Sequence, residues 1–587
     1  MNKDRPNFRP EQTGPKMCAS FVENGSCKFL GQCKFSHDLA ARFAARPADL
    51  GELCPIYTLR GFCKFGVNCR FGLGHVSAPD GANVCRPVEP PPPAEINVVP
   101  WDLTNRLRKS TYNLAKANAL AKKMSAEMER LHLERQYVRG YGEAPEPRAE
   151  PAEPAGSEEP APAPERLLGV SAEQEAAWRA RLAESSAAAP KKERKPVDFR
   201  GKLYLAPLTT VGNLPFRRIC KEYGADITCG EMAMATNLLQ GQASEWALMK
   251  RHPCEDVFGV QIAGGAIEPM GRIAQVIDEN LEVDFVDINM GCPIDVVCNK
   301  GSGSALATKP GRVQGIVRTM STLLSCPLTV KMRMGFNNNN PTAHNMIPNL
   351  QSWGAAAVTL HGRSRQQRYS KSADWGYIGS CAPLAGGIPL IGNGDVFSYE
   401  NTEFMLRHGA EGGADGELVV RSAAADGESG KAAPAAAASS AMVARGALVK
   451  PWLFTELKER RHWDISSAER LETLRKFTRY GLEHWGTDDV GVARTRNFML
   501  EWLSFLHRYV PVGLLERLPA KMQDRPPSFV GRDELETLMA SPNSEDWVKI
   551  TELLLGKAPS TFNFLPKHKA NAYAKEGEEE KGPILAE

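Results

Sequence analysis

The sequence predicts an α/β chain built on a (β/α)8 TIM barrel, followed by a C-terminal helical domain and preceded by two small Cys/His modules and a disordered linker. Three observations carry this. Short apolar runs alternate eight times with helix-forming segments over about 250 residues, the size and rhythm of such a barrel. Polar residues stand at or just after the end of each run, where a barrel would gather them at one mouth. Two stretches near the start repeat one Cys/His spacing. A doubly wound open sheet would spread the polar ends along a crevice, and the count of eight favours the barrel.

At 587 residues the chain implies two to four domains. A net charge of +3 is too weak to announce a nucleic-acid protein by itself. Of the 14 cysteines, Cys18, Cys27 and Cys33 come early with no apolar signal segment around them, and no stretch is long enough to span a bilayer. This excludes a secreted disulfide scaffold and predicts a reducing compartment, cytoplasmic or nuclear, where cysteines are ligands or reagents.

In order along the chain, residues 1–90 are rich in Cys, Phe and Gly, and 91–142 hold a helix-forming stretch over 101–140. Residues 143–195 are Pro, Ala and Glu, a composition that cannot bury enough apolar surface to order itself. Residues 196–455 form the predicted barrel, 456–570 a helical domain and 571–587 a charged tail.

Within the first region, Cys18-x8-Cys27-x5-Cys33-x3-His37 is followed by Cys54-x8-Cys63-x5-Cys69-x5-His75. Three thiolates and an imidazole give Zn2+ a closed tetrahedral shell, so both sites are predicted to be structural, and the spacing resembles that of CCCH zinc fingers. The last interval is two residues longer in the second copy. Phe21, Phe29, Phe35, Tyr57, Phe62, Phe65 and Phe71 are interleaved with Lys28, Lys34, Arg60, Lys64 and Arg70. Some of these rings must pack around the metal. The others, beside cations, suit single-stranded RNA, whose bases stack while phosphates meet charge, better than a purely structural or protein-binding role.

The eight predicted strands are residues 202–208, 225–233, 257–264, 283–291, 328–335, 356–363, 388–394 and one ending in 441–447. Their polar ends are Thr209, Glu231, Gln261, Cys292, Lys331 with Arg333, His361, Asn393 with Asp395, and Arg445. The fourth is the most telling. Its apolar run breaks at Asn289-Met290-Gly291-Cys292-Pro293, which aims a lone cysteine into a loop. Cys298, Cys326 and Cys381 are expected to be inert packing.

The motifs QIAG, NMGCP, TVKMRMG, LHGRSRQQRY, IGNGDV and ARGA, in that order after LAPLTTVGNLPFRR, resemble the tRNA-dihydrouridine synthases, flavin-dependent reductases on a TIM barrel. The likeness runs from about Gly201 to the end. The two CCCH modules and the tail motifs EWLSFLHRYVPVGLLERLP, RPPSFVGRDELETLMAS and FLPKHKANAY resemble the eukaryotic type-3 branch, which modifies uridine 47 in the tRNA variable loop. The resemblance implies FMN, NADPH and Zn2+ as cofactors and tRNA as partner, with mRNA an open second.

It also implies roles. Reducing the C5=C6 bond of uracil puts hydride on C6 and leaves charge at C5 and O4, so a proton must reach C5. Cys292 matches the family's proton donor, and a thiol with an unperturbed pKa of about 8.5 still carries its proton at neutral pH. Gln261 and Lys331 match flavin-ring contacts; Pro207, Leu208 and Thr209 match the stretch under the ring. His361, the Asn393-Gly394-Asp395 turn and Ala444-Arg445 match the remaining flavin contacts, although Asn393 and Asp395 could equally serve the turn. Asn289 is expected to position the substrate. Lys300, Arg333, Arg363 and Arg365 are expected at the RNA backbone, with a solvated rim an equal reading for Arg363 and Arg365. Arg494, Arg496 and Lys521 are expected to grip the tRNA body, with the fingers as a flexible second hold.

One departure from the family pattern stands out. Gly413-Ala414-Asp415-Gly416 is separated from the eighth strand by an Ala/Ser/Gly-rich insert, residues 417–441, with the composition of a linker. If it disrupts that strand, Arg445 is misplaced. Two other readings follow: a free-pyrimidine flavin enzyme of the dihydroorotate dehydrogenase type, or an RNA-binding zinc-finger protein with an idle barrel.

Overall fold

The computed structural model describes residues 15–29, 31–78, 80–88, 95–140, 196–367, 371–408, 438–514 and 528–567. The linker 143–195, most of the insert, residues 515–527 with Lys521, and the tail 571–587 lie outside the described residues.

Among the described residues nine strands build one parallel sheet: β1 Tyr204–Leu205, β2 Ile227–Cys229, β3 Ala233–Met234, β4 Val257–Ala263, β5 Phe285–Met290, β6 Leu328–Arg333, β7 Ala357–His361, β8 Leu390–Asn393 and β9 Ser440–Val443. Each of β4 to β8 pairs with its successor. The ring closes because β9 also pairs with β1, β1 with β2, and β2 with β4. Eight strands therefore form the barrel, and the short β3 adds a second contact along β4. The stretch 225–233, expected as one strand, is split at Gly230. A Cβ there would lie 2.6 Å from the Leu248 carbonyl, so only glycine fits.

The insert leaves β9 intact. Tyr204 is in register with Met442 and Leu205 with Val443, while Gly392 meets Ala441. Ser440 and Ala441, counted with the insert from composition, belong to the strand.

Period-2 alternation divides the barrel into two compartments. Outward-facing Val286, Ile288 and Met290 of β5 join the large core beneath the helices. Inward-facing Phe285 packs with Phe199, Tyr204, Ile227, Ala357, Ile391 and Met442 in a separate cluster inside the barrel. Gly259 on β4 leaves room for the Phe285 ring, which a Cβ would strike. Along β5 the inward face continues from Phe285 to Asp287 and Asn289. The barrel thus has an apolar lower interior and a polar upper layer, at the end where barrel enzymes do chemistry.

Residues 101–140 form two helices, Trp101–Arg108 and Ala115–Gly140. The second lies on the barrel: Arg318 Nη1 donates to Glu127 at 2.8 Å and the Ala117 N–H to Gln275 at 2.9 Å. The helical region (Ser467–Trp485, Asp489–Leu506, Glu534–Ala540, Ser544–Leu555) shares the barrel's outer core. Trp502 crosses the boundary, stacking edge-on against Phe216 and donating to the Leu448 carbonyl at 3.0 Å. Among the described residues no helix is long and apolar enough to cross a membrane.

Candidate active site

The polar layer is a chain of hydrogen bonds that crosses from strand to strand. Thr329 Oγ1 on β6 donates to Asp287 Oδ1 at 2.6 Å. Gln261 Nε2 on β4 donates to Asp287 Oδ2 at 2.8 Å, and Asn289 Nδ2 donates to Gln261 Oε1 at 2.8 Å. Asn289 Oδ1 then accepts from the main-chain N–H groups of Gly291 (3.1 Å) and Cys292 (2.9 Å). This explains why β5 ends on an asparagine. Its amide satisfies two donors that the sheet no longer can, and so fixes the loop that carries Cys292. From the other side Arg333 Nε donates to the Gly291 carbonyl at 2.8 Å, and the Ser304 N–H donates to the Cys292 carbonyl at 3.0 Å.

Cys292 is half-buried, and burial raises the pKa of its thiol, against the pull of Arg333 and Lys331. It is therefore protonated at neutral pH. Lys331, in register with Asn289, is partly accessible from the mouth and otherwise enclosed. Burial, with the Arg333 charge adding, brings its pKa down to about 8. Burial pushes Asp287 up to about 6 despite its bonds to Thr329 and Gln261. Burial, with Arg333 and Lys331 beside it, holds His361 well below its usual range and so neutral.

The turn after β8 is built for close approach. Asn393 Nδ2 donates to the Met442 carbonyl at 2.9 Å and its Oδ1 accepts from Lys331 Nζ at 3.2 Å. Gly394 has φ 124°, and a Cβ there would lie 2.5 Å from Ala373. Asp395, at φ 53°, accepts from Arg363 Nη2 (2.6 Å) and the Ala373 N–H (2.6 Å), and Arg445 Nη2 stands 3.8 Å away. Asp395 thus braces the turn, and Arg445 follows β9 at the same rim as Ala444.

Two cation assignments need correction, those of Arg363 and Arg496. Arg363 is only 1 % exposed and is tied to Asp395, so it faces no RNA. Arg496 is buried, donating to Thr551 Oγ1 at 2.7 Å and the Gly556 carbonyl at 2.6 Å, where it holds two helices together. Arg333 is buried and props two loops through the Gly291 and Ser364 carbonyls. Lys300 and Arg494 are exposed, and Arg365 is half-buried between Asp295 and the Phe336 ring. Cys298, Cys326 and Cys381 are buried.

Pro207 and Leu208 are half-buried in the loop after β1, and Thr209 is exposed. Two features of this rim were not singled out from sequence. Asp287 lies at the centre of the polar layer, and the Phe285-x-Asp287-x-Asn289 alternation is the signal that places it there. Thr210, at φ 76°, donates its N–H to half-buried Glu231 at 2.6 Å and accepts from Lys567 Nζ at 2.7 Å, which ties the C-terminal segment to the rim.

Both Cys/His sets assemble. Ligand atoms of Cys18, Cys27, Cys33 and His37 lie within 4.8 Å of one another, as do those of Cys54, Cys63, Cys69 and His75. Each first cysteine precedes a short helix, Ala19–Asn24 or Pro55–Arg60, stopped by a left-handed glycine (Gly25 φ 67°, Gly61 φ 66°). His37 Nε2 and both ring nitrogens of His75 are buried without a hydrogen-bond partner among the described residues, as ligand atoms awaiting a cation would be. The longer last interval of the second copy still brings His75 home. The second module, expected as a flexible hold, is instead docked: Ile56, Phe71 and its cysteines pack with Leu482, Val492 and Leu555.

Fold and site together define a (β/α)8-barrel enzyme with its polar chemistry gathered at the C-terminal ends of the strands. Residues 204–427 match the dihydrouridine synthase (Dus) family. Over 97% of its length the chain is 46% identical to a human protein named tRNA-dihydrouridine(47) synthase [NAD(P)(+)]-like, of which it covers 84%. A rice protein of the same name is 42% identical over 95% of this chain and 86% of its own. The tRNA-dihydrouridine(47) synthase [NAD(P)(+)] of Coprinopsis cinerea is 38% identical over 98% and 89%. The chain belongs to the tRNA-dihydrouridine synthase family of NAD(P)(+) oxidoreductases.

Proposed function

We propose that this chain reduces a tRNA uridine to 5,6-dihydrouridine at variable-loop position 47, drawing electrons from NADPH through FMN. The observation that carries the reading is the pairing at the mouth of a neutral thiol, Cys292, with an enclosed ammonium, Lys331. That ammonium has three donors and, among the described residues, one hydrogen bond, and Arg333 disfavours its charge. An acceptor edge such as the N1–C2=O side of a flavin fits it, and the same contact would stabilise a reduced anionic ring. Bound FMN would supply hydride to C6 of the uracil.

The chain's own residues do the rest. Gln261, Lys331 and Asn393 line the side of the layer where the ring would lie, with Pro207, Leu208, Thr209, His361, Gly394, Ala444 and Arg445 around it. Asn289 holds the Cys292 loop so that Sγ–H can give its proton to C5. Burial keeps that proton in place until C5 gathers charge. The target base must leave its stack to reach this layer, at a cost of a few kcal/mol. Lys300 and Arg494, both exposed, would meet RNA phosphate. So would the first finger, whose Phe29 and Phe35 are 68% and 45% exposed beside Lys28 and Lys34. Zn2+ in both Cys/His sets would hold the fingers in shape.

The test is mass analysis of tRNA after incubation with the FMN-loaded protein and NADPH, with free uracil and orotate as parallel substrates. A two-hydrogen mass gain at a variable-loop uridine is expected. Reduction of the free pyrimidines alone would replace this reading with a free-pyrimidine reductase.

A further inference from the structure

The second Cys/His set touches a residue from the far end of the chain. Thr487, fully buried in the turn 486–488 between helices Ser467–Trp485 and Asp489–Leu506, has its Oγ1 3.1 Å from Cys69 Sγ and 3.5 Å from Cys63 Sγ. Its carbonyl accepts from the Arg70 N–H at 2.8 Å. A metal-bound thiolate has no proton to give, so with zinc in place the threonine hydroxyl must be the donor.

We propose that Thr487 is a positioning residue of the second zinc site, and that this site is a metal-dependent clamp joining the finger to the C-terminal helices. The inference rests on reading the two Cys/His sets as zinc sites.

The surroundings agree. Both fingers carry the same units, a ligand cysteine followed by a cation and then a phenylalanine: Cys27-Lys28-Phe29 and Cys33-Lys34-Phe35, against Cys63-Lys64-Phe65 and Cys69-Arg70-Phe71. In the first finger both rings face solvent. In the second, Phe71 is buried, Arg70 is ion-paired with Asp489, and the Phe65 ring rests on Gly486, where a Cβ would strike it. Gly486 has φ 115°, so the turn is shaped for a residue without a side chain. In the first site, Cys27 Sγ accepts from the N–H of its own finger's Phe29. Among the described residues the second site therefore has what the first finger's own chain does not supply, a hydroxyl lent by the helices to two of its ligand sulfurs. Hydrogen bonds to ligating atoms typically change metal affinity 10–100-fold.

The experiment follows zinc release from the full chain into a chromophoric chelator, after elemental analysis has established the zinc content. Two zinc ions per chain and two release phases are expected, and Cys18→Ser, which removes the first site, identifies the phase of the second. Thr487→Val keeps the shape and removes the donor. It should speed the second phase about 10-fold or more and leave the first alone, while Thr487→Ser stays near wild type. Hydrogen exchange read on the same variants should show faster exchange around residues 482–492 in Thr487→Val and in zinc-stripped wild type. Two zinc ions with a second phase unmoved by Thr487→Val would overturn the clamp. So would equal acceleration by Val and Ser, which would reduce Thr487 to packing. A chain without zinc would instead defeat the underlying reading of the metal sites.

Discussion

Replacing Lys331 by Met should stabilise the flavin-free protein while weakening its hold on FMN. Among the described residues Lys331 makes one hydrogen bond, to Asn393, and burial with the Arg333 charge brings its pKa from 10.5 to about 8. Keeping the ammonium charged in the folded apo protein at neutral pH therefore costs about 3 kcal/mol, at roughly 1.4 kcal/mol per unit. Methionine has similar reach and no charge, so much of that cost is removed. For a domain of this size each kcal/mol moves the melting temperature by about 2–4 °C, and a rise of several degrees is expected. The pH dependence carries a definite sign. The folded state releases this proton near pH 8 and the unfolded chain near 10.5. Between those values the unfolded state binds more protons, so apo stability climbs with rising pH, and the variant lacks the climb. FMN affinity of the wild type should run the other way, falling by up to about tenfold per pH unit above 8, because the flavin edge selects the protonated form. Thermal melts and flavin-fluorescence titrations from pH 7 to 10 measure both. A variant that melts lower than wild type at pH 7 and binds FMN equally well would refute the reasoning.

Cys292→Ala should keep the flavin colour and lower dihydrouridine formation by about 10²–10⁴-fold, read as loss of the two-hydrogen mass gain; unchanged turnover would remove Cys292 from the proton-donor role. Arg217→Met leaves Glu255 buried without the guanidinium that now donates to it at 2.7 and 3.2 Å, at a cost of about 3–5 kcal/mol in urea unfolding, and a loss under 1 kcal/mol would contradict the pair's importance. Replacing Phe29 and Phe35 together by Ala should weaken tRNA binding by about 1–3 kcal/mol per base no longer stacked, with NADPH oxidation by the flavoprotein unaffected. Phe71→Ala, by contrast, empties a buried site and should show in melting temperature more than in tRNA affinity.

The barrel was readable because its signals are local. Seven of the eight apolar runs each lie on a single strand with polar residues at or just after its end, and eight such runs leave few architectures open. The ligand spacing of the fingers is equally local, which is why both sets assemble. Cation roles were not readable in that way. Arg363, Arg365, Arg494 and Arg496 look alike as letters, yet Arg363 and Arg496 are buried in hydrogen bonds and Arg494 is exposed. What separates them is the partner that the fold brings up, Asp395 for one and the Gly556 carbonyl for another, and no neighbour in sequence announces it. The docking of the second finger was hidden for the same reason. Its cysteine-cation-phenylalanine units match those of the first, and only Leu482, Val492 and Leu555, more than 400 residues away, make one pair an interface.

The chemistry assigned to Cys292 depends on a contest between two opposing effects. The Ile294 main-chain N–H, with Arg333 and Lys331 adding, pulls its thiol toward ionisation, and a thiolate there would be a nucleophile and useless as an acid. Burial pushes the other way and wins, so the proton stays. The same burial takes Lys331 close to losing its charge. One enclosed layer thus sets both groups, holding a proton on sulfur where C5 would need one and leaving an ammonium poorly satisfied where an acceptor edge would lie. The asparagine at the end of β5 connects them. It pairs in register with Lys331 and holds the Cys292 N–H, so a shift of β5 against β6 would move acid and cation together. Asp287, one inward position deeper, ties that asparagine through Gln261 to β4 and β6. The polar floor is therefore the part of the site least able to tolerate a substitution that leaves the fold intact.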